Sequence, residues 1–216
     1  MKVCTDSRIL GAWTALRISG VKRILDIGTG TGLLPLMLAQ KSEAFIDCIE
    51  SDPESSAQAG ENIQQSPWGA RIRGIKGDVR KYSFQSAYDF IITNPPFYES
   101  DLRSPEQKKN TAKHDESLTL DELVSVIRCG LQPDGAFSIL LPFHRTDYFK
   151  NLAGANGFFL REKLTIRQTP RHAPFRAICL FGFQEPEGLI SNELIIKDEK
   201  GKYSLEFDKL MRDYYG

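Results

Sequence analysis

Three acids and three glycines fall where a nucleoside-type ligand would need them. Asp26-x-Gly28-x-Gly30-x-Gly32 stands at the junction of a short apolar run and an apolar helical stretch. Glycines there let the backbone approach a ligand closely, and N–H groups at the start of the helix favour an anion. A dinucleotide loop would place its third glycine at position 33, which is Leu33, so the spacing is of another kind. Glu50 follows Gly32 by 18 residues and can accept both hydroxyls of a ribose. Asp78, in Gly77-Asp78-Val79, can accept from an adenine amino group. Each acid alone reads as a solvated loop carboxylate. At the ends of three successive strands they mark one ligand site. Asn94-Pro95-Pro96-Phe97 then brings together an amide, two residues without a backbone donor, and a ring that can stack on a base. Such stacking is worth roughly 1–3 kcal/mol in single-stranded sites.

The elements that must position these residues alternate. Residues 6–17 read as a helix that Asp6 can cap, with Ile9, Trp13 and Leu16 on one face. Strands are predicted over 23–27, 44–50, 71–76, 89–93, 135–142, 158–168 and 175–184. Helices are predicted over 33–40, 53–65, 119–128 and 145–156, the second capped by Asp52 with Pro53 in its first turn. Strands alternating with helices imply a doubly wound α/β fold with a mostly parallel sheet and helices on both faces. Between the last two long strands lie only residues 169–174, too few for a helical crossover, so that pair is antiparallel. The expectation is one seven-stranded domain over 1–216, with a small C-terminal appendage at about 185–216 in which 193–197 and 202–207 form a hairpin.

Composition narrows the partners. Lys plus Arg and Asp plus Glu each number 28, so the formal net charge is zero. That excludes a chain wrapped in nucleic acid by global charge and leaves local basic patches. Residues 161–176 hold Arg161, Lys163, Arg167, Arg171 and Arg176 against Glu162 alone. Arg71, Arg73, Lys76, Arg80 and Lys81 form a second cluster, and Lys108, Lys109, Lys113 and His114 a third. The four cysteines lie far apart without a Cys-x-x-Cys, which points to reduced thiols and no metal centre. No charged-then-apolar leader follows Met1, and apolar runs are strand-sized, so a cytoplasmic protein off the membrane is expected.

With its glycine loop and three acids, the chain resembles the class I S-adenosylmethionine-dependent methyltransferases, whose Rossmann-like sheet has seven strands, the last antiparallel. Asn94-Pro95-Pro96-Phe97 resembles the Asn-Pro-Pro-aromatic motif of members acting on amino or amide nitrogens. The nitrogen lone pair of an adenine amino group is delocalised into the ring. If the Asn94 side-chain oxygen and the Pro95 carbonyl accept its two hydrogens, charge developing on nitrogen is stabilised and the lone pair is aimed at the methyl group. The amide enzymes usually carry Tyr after the prolines, so Phe97 favours a base.

Met1-Lys-Val-Cys-Thr-Asp6, Leu10-Gly-Ala-Trp13, the stretch from Asn94 through Ala112-Lys-His114 to Leu118, and the tail Leu210-Met-Arg-Asp-Tyr-Tyr215 resemble the bacterial tRNA-valine adenine-N6 methyltransferases. Two features depart from that family: Cys4 stands where Gly is common, and members carry a Phe- and Lys-containing segment ahead of the Met-Lys-Val stretch. The resemblance implies S-adenosylmethionine as cofactor and tRNA as substrate, modified at the adenine 3′ of the anticodon, by a monomer. It places Asn94, Pro95, Pro96 and Phe97 in catalysis. Thr5, Asp6, Asp26, Gly28, Gly30, Gly32, Glu50, Asp78 and Asn94 would hold the cofactor, with Thr5 and Asp6 near its methionine end. Phe97, Lys113, His114, Arg167 and Arg171 would face the substrate. Other acceptors for the same motif are another RNA or DNA base or a protein glutamine, and a module that binds without turnover is the reading from another class.

Overall fold

A computed structural model describes residues 5–95 and 118–215. The elements run α1 (Thr5–Ala15), β1 (Arg23–Ile27), α2 (Leu33–Ala39), β2 (Phe45–Glu50), α3 (Pro53–Gln64), β3 (Ile72–Lys76) and β4 (Tyr88–Thr93). There follow α4 (Leu120–Gly130), β5 (Leu131–Pro142), α5 (Thr146–Ala155), β6 (Phe159–Arg167), β7 (Arg176–Gly182), β8 (Ile190–Ile195) and α6 (Leu205–Met211). Local chemistry sets several of these starts. The Asp52 side chain accepts from Ser55 N–H at 2.8 Å, with Pro53 in the first turn of α3. Thr119 and Glu122 form a reciprocal capping box at α4.

The strands form one sheet in the order β3-β2-β1-β4-β5-β7-β6-β8. β3 to β5 are parallel through β2, β1 and β4, whereas β7 runs antiparallel to both β5 and β6. The order turns between β1 and β4, and in open α/β sheets the crevice at such a turning point, beyond the C-terminal strand ends, is where ligands bind. Ile27 and Thr93 are register partners, so Gly28 and Asn94 leave adjacent strands side by side.

Both faces of the sheet are covered. Ile9, Leu10 and Trp13 of α1 pack with Met37 and Leu38 of α2, Ile63 of α3, and Phe207 and Met211 of α6 on one face. Leu123, Val124 and Ile127 of α4 join Phe149 and Ala153 of α5 on the other. β1 alternates between them: Ile24 belongs to the first core, Leu25 and Ile27 to the second. Asp26 therefore shares the first face with Ile24.

The seven expected strands form, and the chain adds an eighth. β8 pairs in parallel with the outer edge of β6, covering backbone groups that β7 leaves open. The expected hairpin in that segment is overturned. Only Lys197 and Tyr203 bridge across the turn, and residues 205–211 are helical. Ser204 caps that helix by accepting from Phe207 N–H at 3.1 Å, and Phe207 and Met211, four apart, are both fully buried. A period of four outweighs strand-like alternation here. The segment read as an appendage thus completes the sheet and fills the same core. Asp6, expected as a helix cap, lies inside the first turn of α1 and bonds elsewhere.

Candidate active site

The glycine loop closes over the end of β2. Gly28, Gly30 and Gly32 have φ of 73°, 59° and 85°, the left-handed region where a side chain is strained. A Cβ on Gly32 would also lie 3.4 Å from Ala59 of α3. Amides at the start of the loop are engaged within the protein: Gly28 and Thr29 N–H both donate to Ile49 O, at 2.9 and 3.1 Å. Gly30 N–H donates to Glu50 Oε2 at 2.8 Å, and Asp52 N–H to Glu50 Oε1 at 2.9 Å. These bonds brace the loop against β2 and fix the Glu50 carboxylate at the crevice. A carboxylate offers about four lone-pair sites, so Glu50 keeps acceptor capacity for ribose hydroxyls.

Asp26 lies beneath the loop, fully buried, and neither carboxylate oxygen has a hydrogen-bond partner among the described residues. Burial pushes its pKa up to about 7; the Thr29 hydroxyl opposes that rise and the Glu50 charge adds to it. Thr29 Oγ1 is itself buried without a partner, near Asp26 but outside bonding geometry. A buried, unpartnered carboxylate calls for a cation. S-adenosylmethionine carries two, an ammonium and a sulfonium, together with a ribose for Glu50, so the residues fit that cofactor.

Asp78, at the end of β3, is committed differently. Both oxygens accept from the Arg80 guanidinium, at 2.7 Å in the closest contact, and the bond from Arg80 holds its pKa below the usual carboxylate range. The expected contact with an adenine amino group competes with that ion pair.

At the end of β4 the Thr93 hydroxyl donates to Ile27 O at 2.9 Å, tying this strand end to the strand that leads into the glycine loop. Asn94 is half-buried and Pro95 buried. Asn94 Nδ2 donates to the Ser7 hydroxyl at 2.8 Å, and Oδ1 has no partner among the described residues. Thr5 opens α1, and Asp6 accepts from Arg176 Nε at 3.0 Å. Pro96, Phe97, Lys113 and His114 lie outside the described residues.

A family model described as the methyltransferase small domain matches residues 7–139. The tRNA1(Val) (adenine(37)-N6)-methyltransferase of Dyadobacter fermentans is 41% identical over the whole chain and 90% of its own length. That of Bacteroides fragilis is 38% identical, again over the whole chain and 91% of its own length. The chain belongs to the tRNA1(Val) (adenine(37)-N6)-methyltransferase family. A solved structure of a predicted O-methyltransferase from Agrobacterium tumefaciens superposes with a TM-score of 0.73 over 96% of both chains, at 16% identity, a likeness of fold alone.

This member of the family spends many of its cations internally. Arg167 donates to Glu193 at 2.7 Å and to His172 O at 3.2 Å. Arg71 donates to the carbonyls of Ala39, Ser42 and Ala44, and Arg73 forms a forked pair with Asp47. Arg176 and Arg80 hold Asp6 and Asp78. Of the cations named as substrate contacts, Arg171 is 81% exposed, with a loose 3.8 Å contact to Glu199. Sequence reading missed Ser7, which carries no signal beyond being a polar residue in the first turn of a helix. No helix among the described residues is long and apolar enough to cross a membrane. No cluster of three or more His, Cys, Asp or Glu that could hold a metal occurs among them.

Proposed function

We propose that this protein transfers the methyl group of S-adenosylmethionine to N6 of an adenine in tRNA, the adenine 3′ of the valine anticodon. The observation that carries the reading is Asn94-Pro95 at the end of β4, next to the glycine loop across the turning point of the sheet, with Asn94 Oδ1 unpartnered among the described residues. The names of full-length relatives supply the acceptor. A tRNA substrate supports a cytoplasmic location.

The cofactor supplies a methyl group on a sulfonium that departs as a neutral thioether. When it is bound, Asp26 would offer the ammonium of its methionine end a counter-charge, and Glu50 would accept from its ribose. Asn94 Oδ1 and the Pro95 carbonyl accept the two hydrogens of the target amine, so the lone pair is directed out of conjugation and positive charge growing on nitrogen meets two oxygens. The target nitrogen would take the methyl group while the bonding pair stays with the departing thioether sulfur, and one proton would leave nitrogen afterwards for solvent. No base must remove it first. An anticodon-loop adenine is already single-stranded, so its extrusion costs less than flipping a paired base.

The test is methyl transfer from labelled cofactor to unmodified tRNA, DNA and protein in parallel, with the product identified after digestion. Labelled N6-methyladenosine from tRNA alone is expected. Asn94→Ala should lower the rate more than about a hundredfold with cofactor affinity kept. Label in protein or DNA alone would reassign the acceptor, and cofactor binding without transfer would make the protein a binding module.

A further inference from the structure

We infer that Ser7 is the positioning residue for Asn94: its hydroxyl accepts the hydrogen of Asn94 Nδ2 at 2.8 Å and so turns Oδ1 to the target amine. The inference rests on the proposed role of Asn94. An asparagine side chain has two ends of nearly equal shape and opposite polarity. Turned over, it would present N–H donors to a nitrogen that also carries N–H donors, and the interaction that stabilises developing charge would become a repulsion. In the observed arrangement Ser7, 87 residues upstream, takes the nitrogen end of the amide and fixes its place at the end of β4.

The anchor must itself be held. Asp6, adjacent to Ser7, is paired with Arg176 of β7 at 3.0 Å, its side chain only 13% exposed. Thr14 shares a buried 2.9 Å hydrogen bond with Ser138 of β5, and Arg17 binds Glu162 of β6 at 2.7 Å. α1 is thus fastened to β7 at its first turn and to β5 at its last, the chain just past it is fastened to β6, and its first turn delivers the Ser7 hydroxyl to the end of β4. A helix that precedes the first strand, and that would pass for packing, is a working part of the site.

The test compares Ser7→Ala, Ser7→Thr, Asn94→Ala and the Ser7→Ala/Asn94→Ala double variant in the full chain, with tRNA and cofactor saturating. Alanine is the better helix former, so Ser7→Ala does not melt α1, and thermal unfolding checks that it has not. Losing one oriented hydrogen bond should lower kcat about tenfold. Cofactor Kd should stay within about twofold, and Ser7→Thr, which keeps the hydroxyl, should recover most of the rate. In the Asn94→Ala background Ser7→Ala should cost nothing more, because the two residues act as one unit. An unchanged kcat in Ser7→Ala while Asn94→Ala is crippled would overturn the role of Ser7 and leave that of Asn94 standing. The same fold-loss in both backgrounds, or no recovery with threonine, would also overturn it. Full activity in Asn94→Ala would remove the reading of Asn94 and the inference with it.

Discussion

A carboxylate sealed from water without a partner is unstable in its charged form, and Asp26 is held in that condition beneath the glycine loop. Its pKa of about 7 against an ordinary 3.8 means that the native state binds a proton the unfolded chain has released between those values. Stability of the cofactor-free protein should therefore fall on this group's account as pH rises from about 4 to 7, and Asp26→Asn should remove that slope. Urea unfolding at pH 5 and pH 7 reads the difference; equal slopes in both proteins would show that Asp26 is not the group. Cofactor binding runs the other way. A cationic ligand selects the ionised carboxylate, so affinity should climb as pH passes through 7 in the natural chain and stay flat in Asp26→Asn, as calorimetry from pH 6 to 8 would show.

Two helices at opposite ends of the chain meet on one face of the sheet. α1 carries Ser7 to Asn94 at the end of β4, and α6 packs against α1 through the buried Phe207 and Met211. Phe207 also stacks on Tyr203 with ring centroids 4.7 Å apart. Phe207→Ala should destabilise the whole domain by about 3–5 kcal/mol, the range for deleting a buried aromatic ring. The measurement is a shift in the urea midpoint with unchanged slope. A loss below about 1 kcal/mol would mean that residues 190–215 stand apart from the core.

Across the whole molecule the formal net charge is zero, and several arginines that the sequence offers to RNA are engaged internally. Arg71, Arg73, Arg80, Arg167 and Arg176 all answer to carboxylates or carbonyls of the protein itself. Binding to tRNA should accordingly be only moderately salt-dependent, with a log–log slope of about −1.5 to −3, as for two to four released counterions on a single strand. Arg171→Ala should weaken all tRNAs alike and reduce that slope by about one. Filter binding over a salt series decides it, and an unchanged slope would place Arg171 outside the interface.

What the sequence determined by itself were the features written in short stretches of chain. Short apolar runs in alternation with helical stretches marked seven strands, because strands covered on both faces read as near-continuous apolar segments, and Asp26-x-Gly28-x-Gly30-x-Gly32 announced a loop that only glycine can make. The placement of Glu50 and Asn94 at strand ends followed from the same alternation. Tertiary structure alone decided the pairings. An arginine reads the same whether it faces water, as Arg171 does, or grips an aspartate 170 residues away, as Arg176 grips Asp6. The parallel docking of β8 on β6, and the Ser7 hydroxyl on Asn94, likewise depend on which edges and ends the fold brings within hydrogen-bond reach. That reach extends only about 3 Å, and no spacing along a chain encodes it between elements that far apart.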